Sequence, residues 1–166
     1  MSPQTPSTPA AAQKPARLSY TEQTCIVMAS HINGSGRLFG GTLMQWIDVI
    51  AAVAGRRHSG CDVTTASVDN LQFHRAAVQN DTVLLTAKVT YTGRTSMEVR
   101  VDSFVESLAG DRQRINTAYL VLVALDKQGR PTPVPALLCE TTEEQAEFQA
   151  ALRRDSLRRQ RRKEEY

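Results

Sequence analysis

The chain has 166 residues, 41% of them hydrophobic, which fits one domain with a substantial core. The formal net charge is +3, but seven of the basic residues lie in the last fourteen positions, so nucleic-acid binding by the folded part is not expected. No apolar run approaches the roughly 18 residues of a membrane span, and no signal-peptide pattern opens the chain. We therefore expect a cytoplasmic protein without stable membrane insertion.

Composition divides the chain into three parts. Residues 1–16 are rich in Pro, Ser, Thr and Ala, which predicts a disordered N-terminal tail. We expect one folded domain over residues 17–138 and a C-terminal helix with a basic tail over residues 139–166. The three cysteines are widely spaced and odd in number, so neither a disulfide framework nor a metal site is expected.

The first predicted elements are a strand, a glycine-rich loop and a helix. Polar and apolar residues alternate from Leu18 to Met28, as in a strand. The loop that follows contains an asparagine and two glycines, and the pair Gly40-Gly41 then leads into a helix that ends near Gly60. This helix is apolar almost all the way round, so we expect the rest of the domain to wrap it.

One carboxylate, Asp48, interrupts this apolar helix. It lies roughly 10 Å along the axis from Gly41, too far to cap the N-terminus. No residue three or four positions away is basic, so no ion pair forms within the helix. A buried charge without a partner costs several kcal/mol. Asp48 therefore pairs with a distant group, faces a cleft, or lies at a solvent edge, and Thr42 and Gln45 share its stripe of the helix.

Four further strands are predicted after the helix. Their expected ranges are Val63–Arg75, Thr82–Thr92, Met97–Val105 and Ile115–Leu125. The alternation in the first of these slips at Asp69-Asn70, which predicts a β-bulge. Short turns between the strands favour antiparallel pairing. The sequence thus predicts an α+β domain in which one antiparallel sheet of about five strands curls around one long helix.

The chain ends in a predicted helix. Thr141 and Glu144 have the spacing of a capping box, and the helix is expected to continue past Leu152 and fray into the basic tail.

Six segments between Asn33 and Pro135 together resemble the hot-dog-fold acyl-CoA thioesterases of the cytosolic and brown-fat type. In order, they are NGSGRLFGGTLMQWID, RRHSG, TTASVDNLQF, NDTVLLTAKV, GRTSMEV and VALDKQGRPTPVP. The resemblance implies a hot-dog fold and hydrolysis of acyl-CoA to a fatty acid and coenzyme A. No cofactor is implied, since coenzyme A is part of the substrate. A non-catalytic acyl-CoA sensor on the same fold is the alternative.

The resemblance also implies a site shared between two subunits. The family uses an asparagine in the loop before the helix and an acid within the helix, and the matching residues are Asn33 and Asp48. A homodimer is therefore expected, and a trimer of dimers is common in the family. Asp48 would act as base or nucleophile, and sequence does not choose between them. Asn33 could hold water or polarise the thioester, or it could form only an Asx-turn.

Other residues are predicted to bind the substrate. The N–H of Gly41 is the expected oxyanion donor, with Gly40 beside it, although both glycines also suit tight packing. Candidates for contacts with coenzyme A lie in or just after the predicted Gly93-Arg94 turn, or at the end of the helix. They are Arg94, Thr95, Ser96, Arg57 and His58. Ordinary strand positions and a cation-rich helix C-terminus are the alternative interpretations of these five.

Overall fold

The computed structural model describes residues 12–164, apart from the side chain of Asn70. Five strands form an antiparallel sheet in the order β2-β4-β5-β6-β3. Its strands are β2 (Thr21–Ile26), β3 (Asp62–Phe73), β4 (Thr82–Thr92), β5 (Ser96–Glu106) and β6 (Arg112–Leu125). Helix α1 (Gly40–Ser59) packs against the concave face, which confirms the predicted hot-dog fold.

Helix α1 is long because its sequence has apolar residues throughout and a clear stop. Gly60 follows in the left-handed conformation, with φ of 69°, and its N–H bonds to the Arg56 carbonyl at 2.8 Å. Seven helix residues are buried against the sheet: Leu43, Ile47, Ile50, Ala51, Ala54, Gly55 and His58. The sheet curls around the helix as predicted, but one side of the helix stays uncovered in a single chain, where Met44 and Val49 remain 45% and 50% exposed.

Strand β3 is irregular, as its sequence predicted. Its pairing with β6 shifts register between Thr65 and Ser67 and again between Asp69 and Gln72. The second shift confirms the predicted bulge, and the first was not predicted. Each bulge changes which face of the sheet the following side chains occupy, so the strand turns both polar and apolar groups toward α1.

The two ends of the described chain are more ordered than predicted. Strand β1 (Gln13–Pro15) pairs in parallel with β7 (Ala136–Leu138), and a 3-10 turn spans Ala16–Ser19. The prediction of disorder is therefore wrong for residues 13–16, while residues 1–11 lie outside the described chain. The turn also delays the start of β2, because the Ser19 hydroxyl accepts the Val89 N–H at 2.9 Å.

The C-terminal helix α2 (Thr142–Lys163) lies on the convex face of the sheet. Thr141 caps it by accepting the Glu144 N–H at 3.1 Å, and Glu144 accepts the Glu140 N–H in return, close to the predicted capping box. The helix does not fray at its basic end as predicted, since Arg158 is buried there. Neither α1 nor α2 combines the length and apolar character needed to cross a membrane.

Candidate active site

The carboxylate of Asp48 lies opposite the first bulge of strand β3. Thr65 pairs with Leu122 of the sheet, and Leu122 faces the helix. The hydroxyl of Thr65 donates to Asp48 Oδ1 at 2.5 Å. No salt bridge to Asp48 forms within residues 12–164. Of the three interpretations left open by the sequence, a polar group facing a cleft fits the geometry best, since the partner is a neutral hydroxyl and the side chain is exposed within one chain.

A cavity of about 330 Å³ opens beside this carboxylate. Helix α1 forms one side of it and strand β3 the other. Its lining residues are Gly41, Met44, Gln45, Ile47, Asp48, Val68, Leu71 and Leu120. Apart from Asp48 and Gln45 these are glycine and apolar side chains, so the cavity can take up a hydrocarbon chain next to one acid.

The N-terminus of α1 supplies free hydrogen-bond donors at this cavity. Phe39 occupies the N-cap position without a side-chain hydrogen bond. Within the described chain, the N–H groups of Gly40 and Gly41 form no hydrogen bond. A Cβ atom at Gly41 would lie 2.5 Å from the ring of Phe39. These free donors and the helix dipole can stabilise negative charge on an oxygen near Gly41.

The loop that carries Asn33 lies on the other side of the helix start. Asn33 Oδ1 accepts the backbone N–H groups of Ser35 and Arg37 at 2.9 and 3.2 Å. The Asx-turn is therefore present, and its geometry uses only the carbonyl oxygen of the side chain. Asn33 lines a separate cavity of about 360 Å³, shared with Gly40, rather than the cavity of Asp48. One chain thus does not bring the two polar residues together.

The residues predicted at the end of the helix have different surroundings. His58 is fully buried, and its Nε2 lies 3.0 Å from the Pro135 carbonyl. Burial lowers the pKa of His58, the bond to Pro135 opposes this shift, and the nearby Lys14 adds to it. Within one chain the ring is buried and bonded to Pro135, so it offers no surface to a phosphate there, and contact of His58 with coenzyme A stays a prediction that this geometry does not support. Arg57 is exposed and donates to the Tyr20 carbonyl at 2.5 Å.

Of the three residues predicted after strand β4, Arg94 and Thr95 lie in the turn between β4 and β5, and Ser96 begins β5. The carbonyls of Arg94 and Thr95 accept the N–H groups of Val134 and Ala124 at 3.0 and 2.9 Å, and the Ser96 carbonyl accepts the Gly93 N–H. None of the three lines the Asp48 cavity within a single described chain. Their contact with substrate stays a prediction.

Sequence reasoning missed Thr65. A signal was available, because Thr65 is a polar residue in the strand that directly follows the helix, ahead of the register slip. A threonine in a strand is so common that its residue type alone does not distinguish a functional hydroxyl from an ordinary one.

Comparisons with known proteins agree with this geometry. Residues 35–109 match the thioesterase superfamily. An uncharacterized acyl-CoA thioester hydrolase of Bacillus subtilis is 39% identical over 146 residues, covering 87% of this chain and 85% of the relative. The human cytosolic acyl coenzyme A thioester hydrolase is 32% identical over 82% of this chain, which spans only 37% of that longer protein.

Solved structures give the same result. A hexameric acyl-CoA thioesterase without ligand superposes with a TM-score of 0.87 at 37% identity, covering 90% of this chain and 97% of the other. An acyl-CoA hydrolase of Staphylococcus aureus in complex with coenzyme A, carrying an asparagine-to-alanine substitution, gives 0.90 at 32% identity and covers 94% of each chain. Another structure of that enzyme contains butyryl coenzyme A, and two more carry an aspartate-to-alanine or a threonine-to-alanine substitution. By fold, identity and coverage, this chain belongs to the thioesterase superfamily, among its hot-dog acyl-CoA thioester hydrolases.

Proposed function

We propose that this protein hydrolyses the thioester of acyl-CoA to a free fatty acid and coenzyme A. The observation that carries the proposal is the Asp48 carboxylate, oriented by Thr65 at the side of an apolar cavity whose other end holds the free N–H of Gly41. An acid, an oxyanion donor and space for a hydrocarbon chain are the parts that thioester hydrolysis needs. The relatives named as acyl-CoA thioester hydrolases support the same reaction.

Asp48 would act in one of two ways. As a base, it takes a proton from water while the water oxygen adds to the thioester carbonyl, and it returns that proton to the sulfur as the carbon–sulfur bond breaks. As a nucleophile, it attacks the carbonyl itself, releases the thiolate and forms an anhydride that water then cleaves. In both routes the Thr65 hydroxyl holds one carboxylate oxygen and leaves the other free to react.

The negative charge that develops on the carbonyl oxygen would be met by the Gly41 N–H. This group is at the first turn of α1, where no intrahelical partner exists and the dipole favours an anion. The absence of a Cβ at Gly41 keeps Phe39 close and leaves the backbone accessible. Asn33 would contribute its side-chain amide, since the Asx-turn occupies only the carbonyl oxygen.

Asn33 would reach the Asp48 cavity from a second copy of the chain. The alanine substitutions in the Staphylococcus aureus structures lie at an asparagine fifteen positions before the aspartate and a threonine seventeen positions after it. The same spacings separate Asn33, Asp48 and Thr65. Because one chain holds Asn33 and Asp48 in different cavities, a shared site explains how they act together. A dimer is then the smallest active unit, and the hexameric neighbour supports a trimer of dimers.

Release of free thiol from acyl-CoAs of increasing chain length tests the activity. We expect turnover by the wild type and its loss in Asp48→Asn, which keeps the shape of the side chain but removes the base and nucleophile. Asp62→Asn is the matched control, since Asp62 pairs with Arg56 on the surface. Binding of acyl-CoA without turnover by the folded wild type would contradict the proposal and favour the sensor.

Mixed oligomers test the shared site. Asp48→Asn and Asn33→Ala chains should each be inactive alone. If each site takes Asp48 from one subunit and Asn33 from the other, random mixing of the two chains restores one intact site in half of the dimers, about a quarter of wild-type activity. No recovery after mixing would place both residues of a site in one chain.

A further inference from the structure

Strand β3 forms one side of the Asp48 cavity, and its pairing with β6 is interrupted twice there. Val68 and Leu71 line the cavity, and both lie beyond the first register shift. The second shift, between Asp69 and Gln72, leaves Leu71 without a partner in β6. A bulged stretch has fewer ladder hydrogen bonds to fix it, so this side of the cavity needs support from elsewhere.

The opposite face of the same stretch is held by charged groups. Asp69, whose side chain points to the convex face of the sheet, accepts from Arg158 Nη1 at 2.9 Å. Arg158 is a residue of helix α2 and only 6% exposed. The same Nη1 donates to Glu98 of the central strand β5 at 2.8 Å. Arg158 thus spans β6 and ties the edge strand β3 to the middle of the sheet.

Glu98, Arg158 and Asp69 thus form a bridge, and several hydrogen bonds hold its Glu98 end in place. Glu98 is 1% exposed and also accepts from Thr90 at 2.9 Å and from Arg154 at 2.8 Å. Arg154 in turn stacks on Tyr119, with its guanidinium 3.8 Å from the ring centre. Glu98 is therefore fixed by donors from two elements, Thr90 of strand β4 and Arg154 of helix α2, and it can hold Arg158 in one orientation.

Little else joins α2 to β3. A cleft of about 310 Å³ separates them, lined by Ser67, Asp69 and Arg158 among others. Packing across this gap is therefore limited. Asp69 supplies the contact through its short pair with Arg158, and the exposed Arg161 lies farther away, with its Nη2 3.8 Å from Asp69 Oδ1. The ion pair at Asp69 supports the neighbouring residues Val68 and Leu71. Thr65 does not depend on it, because Thr65 precedes the first register shift and keeps its own partner, Leu122.

We propose that the Glu98–Arg158–Asp69 bridge is a positioning device that sets the acyl-chain specificity of the cavity through the bulged part of β3. The inference rests on the proposed thioesterase activity. It assigns Asp69 and Arg158 no contact with the reacting atoms. They act by holding Val68 and Leu71 against the hydrocarbon chain, so that loss of the bridge weakens contacts with long chains more than contacts with short ones.

Asp69→Ala tests this, because it frees β3 while Arg158 stays paired with Glu98. We expect the kcat/KM ratio between the longest and shortest accepted acyl-CoA to fall about fivefold or more, mainly through KM, with kcat on the shortest substrate within about twofold of wild type. Arg158→Gln should show the same shift. Asp155→Ala should not show it. Asp155 pairs mainly with Arg159, is 3.9 Å from Arg158 Nη2, and belongs to α2 itself, so its loss does not free β3.

Amide hydrogen exchange gives a readout independent of turnover. Peptides covering residues 66–72 should exchange faster in Asp69→Ala than in wild type or Asp155→Ala. An unchanged chain-length ratio in Asp69→Ala overturns the inference, and so does an equal loss on every substrate. A wild type without turnover would instead refute the proposed function. Hydrogen exchange would then test the bridge by itself, and unchanged exchange in Asp69→Ala would show that the bridge does not position β3.

Discussion

The carboxylate of Asp48 has two oxygens, and Thr65 occupies only one of them. A hydroxyl that donates to a carboxylate fixes its rotation, while it leaves the other oxygen able to take a proton or attack a carbonyl. An arginine in the same place would hold both oxygens and compete with the reaction. A single neutral donor therefore suits a carboxylate that has to work as base or nucleophile.

Replacement of Thr65 by valine should lower kcat about 10-fold or more, since a hydrogen bond to a charged group contributes about 1.5 to 3 kcal/mol. Valine keeps the shape of the side chain and removes only the donor. Thr65→Ser should retain most of the activity. Steady-state rates at saturating acyl-CoA measure the effect, and Thr64→Val, at the exposed neighbouring position, is the control. Equal rates for the valine and serine variants at position 65 would rule out this role of the hydroxyl.

His58 couples stability to pH. Burial lowers its pKa in the folded chain below the ordinary 6.5, so the fold favours the neutral ring that donates to Pro135. Below about pH 6.5 the unfolded chain binds a proton that the folded chain does not, and the free energy of unfolding falls as the pH falls. Urea unfolding between pH 5 and 8 should show this decrease. His58→Gln should flatten it, and the exposed His74→Gln should retain the wild-type slope.

At the scale of elements, sequence pattern was a good guide to strands β4 and β5 and to helix α1. Strand β4 matches its predicted range of Thr82–Thr92, because it has clean alternation and turn residues on both sides. The prediction failed where tertiary contacts decide. The alternation of Glu98 with Val99 predicts a polar face of the sheet, but it does not predict that helix α2 covers this face. Arg158 is buried only because α2 packs there.

The candidate site was predictable in part for the same reason. Asp48 is conspicuous as a lone acid in an apolar helix, which no local rule explains. Thr65 is not conspicuous, because its role depends on the distance between two elements and on the register of β3 with β6. Asn33 was found through resemblance to a family, and the pattern of its own loop predicts only the Asx-turn that the structure contains.

The docking of α2 on the sheet depends on Glu98. Replacement by glutamine keeps the size of the side chain but leaves Arg154 and Arg158 with one carboxylate fewer in a buried place. We expect a loss of about 2 to 4 kcal/mol in the free energy of unfolding. Glu106→Gln removes a comparable pair with Arg112 at the surface and should cost less than about 1 kcal/mol. Urea titrations at matched protein concentration compare them, and similar losses would contradict this account of α2.

At the scale of the whole molecule, one chain leaves an apolar surface exposed around its candidate site. The exposed side chains on this surface belong to α1, the residue before it and strand β3. They are Phe39, Met44, Val49, Val68 and Phe73. Strand β3 is also an edge of the sheet and, among residues 12–164, pairs only with β6. Such a surface beside an open strand is typical of an interface between subunits.

Val49→Lys should therefore break the assembly and the activity together. Val49 is on the outer side of α1, one residue from Asp48 but absent from the lining of its cavity, so lysine there puts a charge into the interface without filling the site. We expect a fall in mass by light scattering and a loss of thiol release of about 10-fold or more, because a monomer brings no second Asn33 to Asp48. Leu157→Lys, on the exposed side of α2, is the control and should leave both unchanged. A Val49→Lys variant that dissociates yet keeps full turnover would show that one chain is sufficient for catalysis.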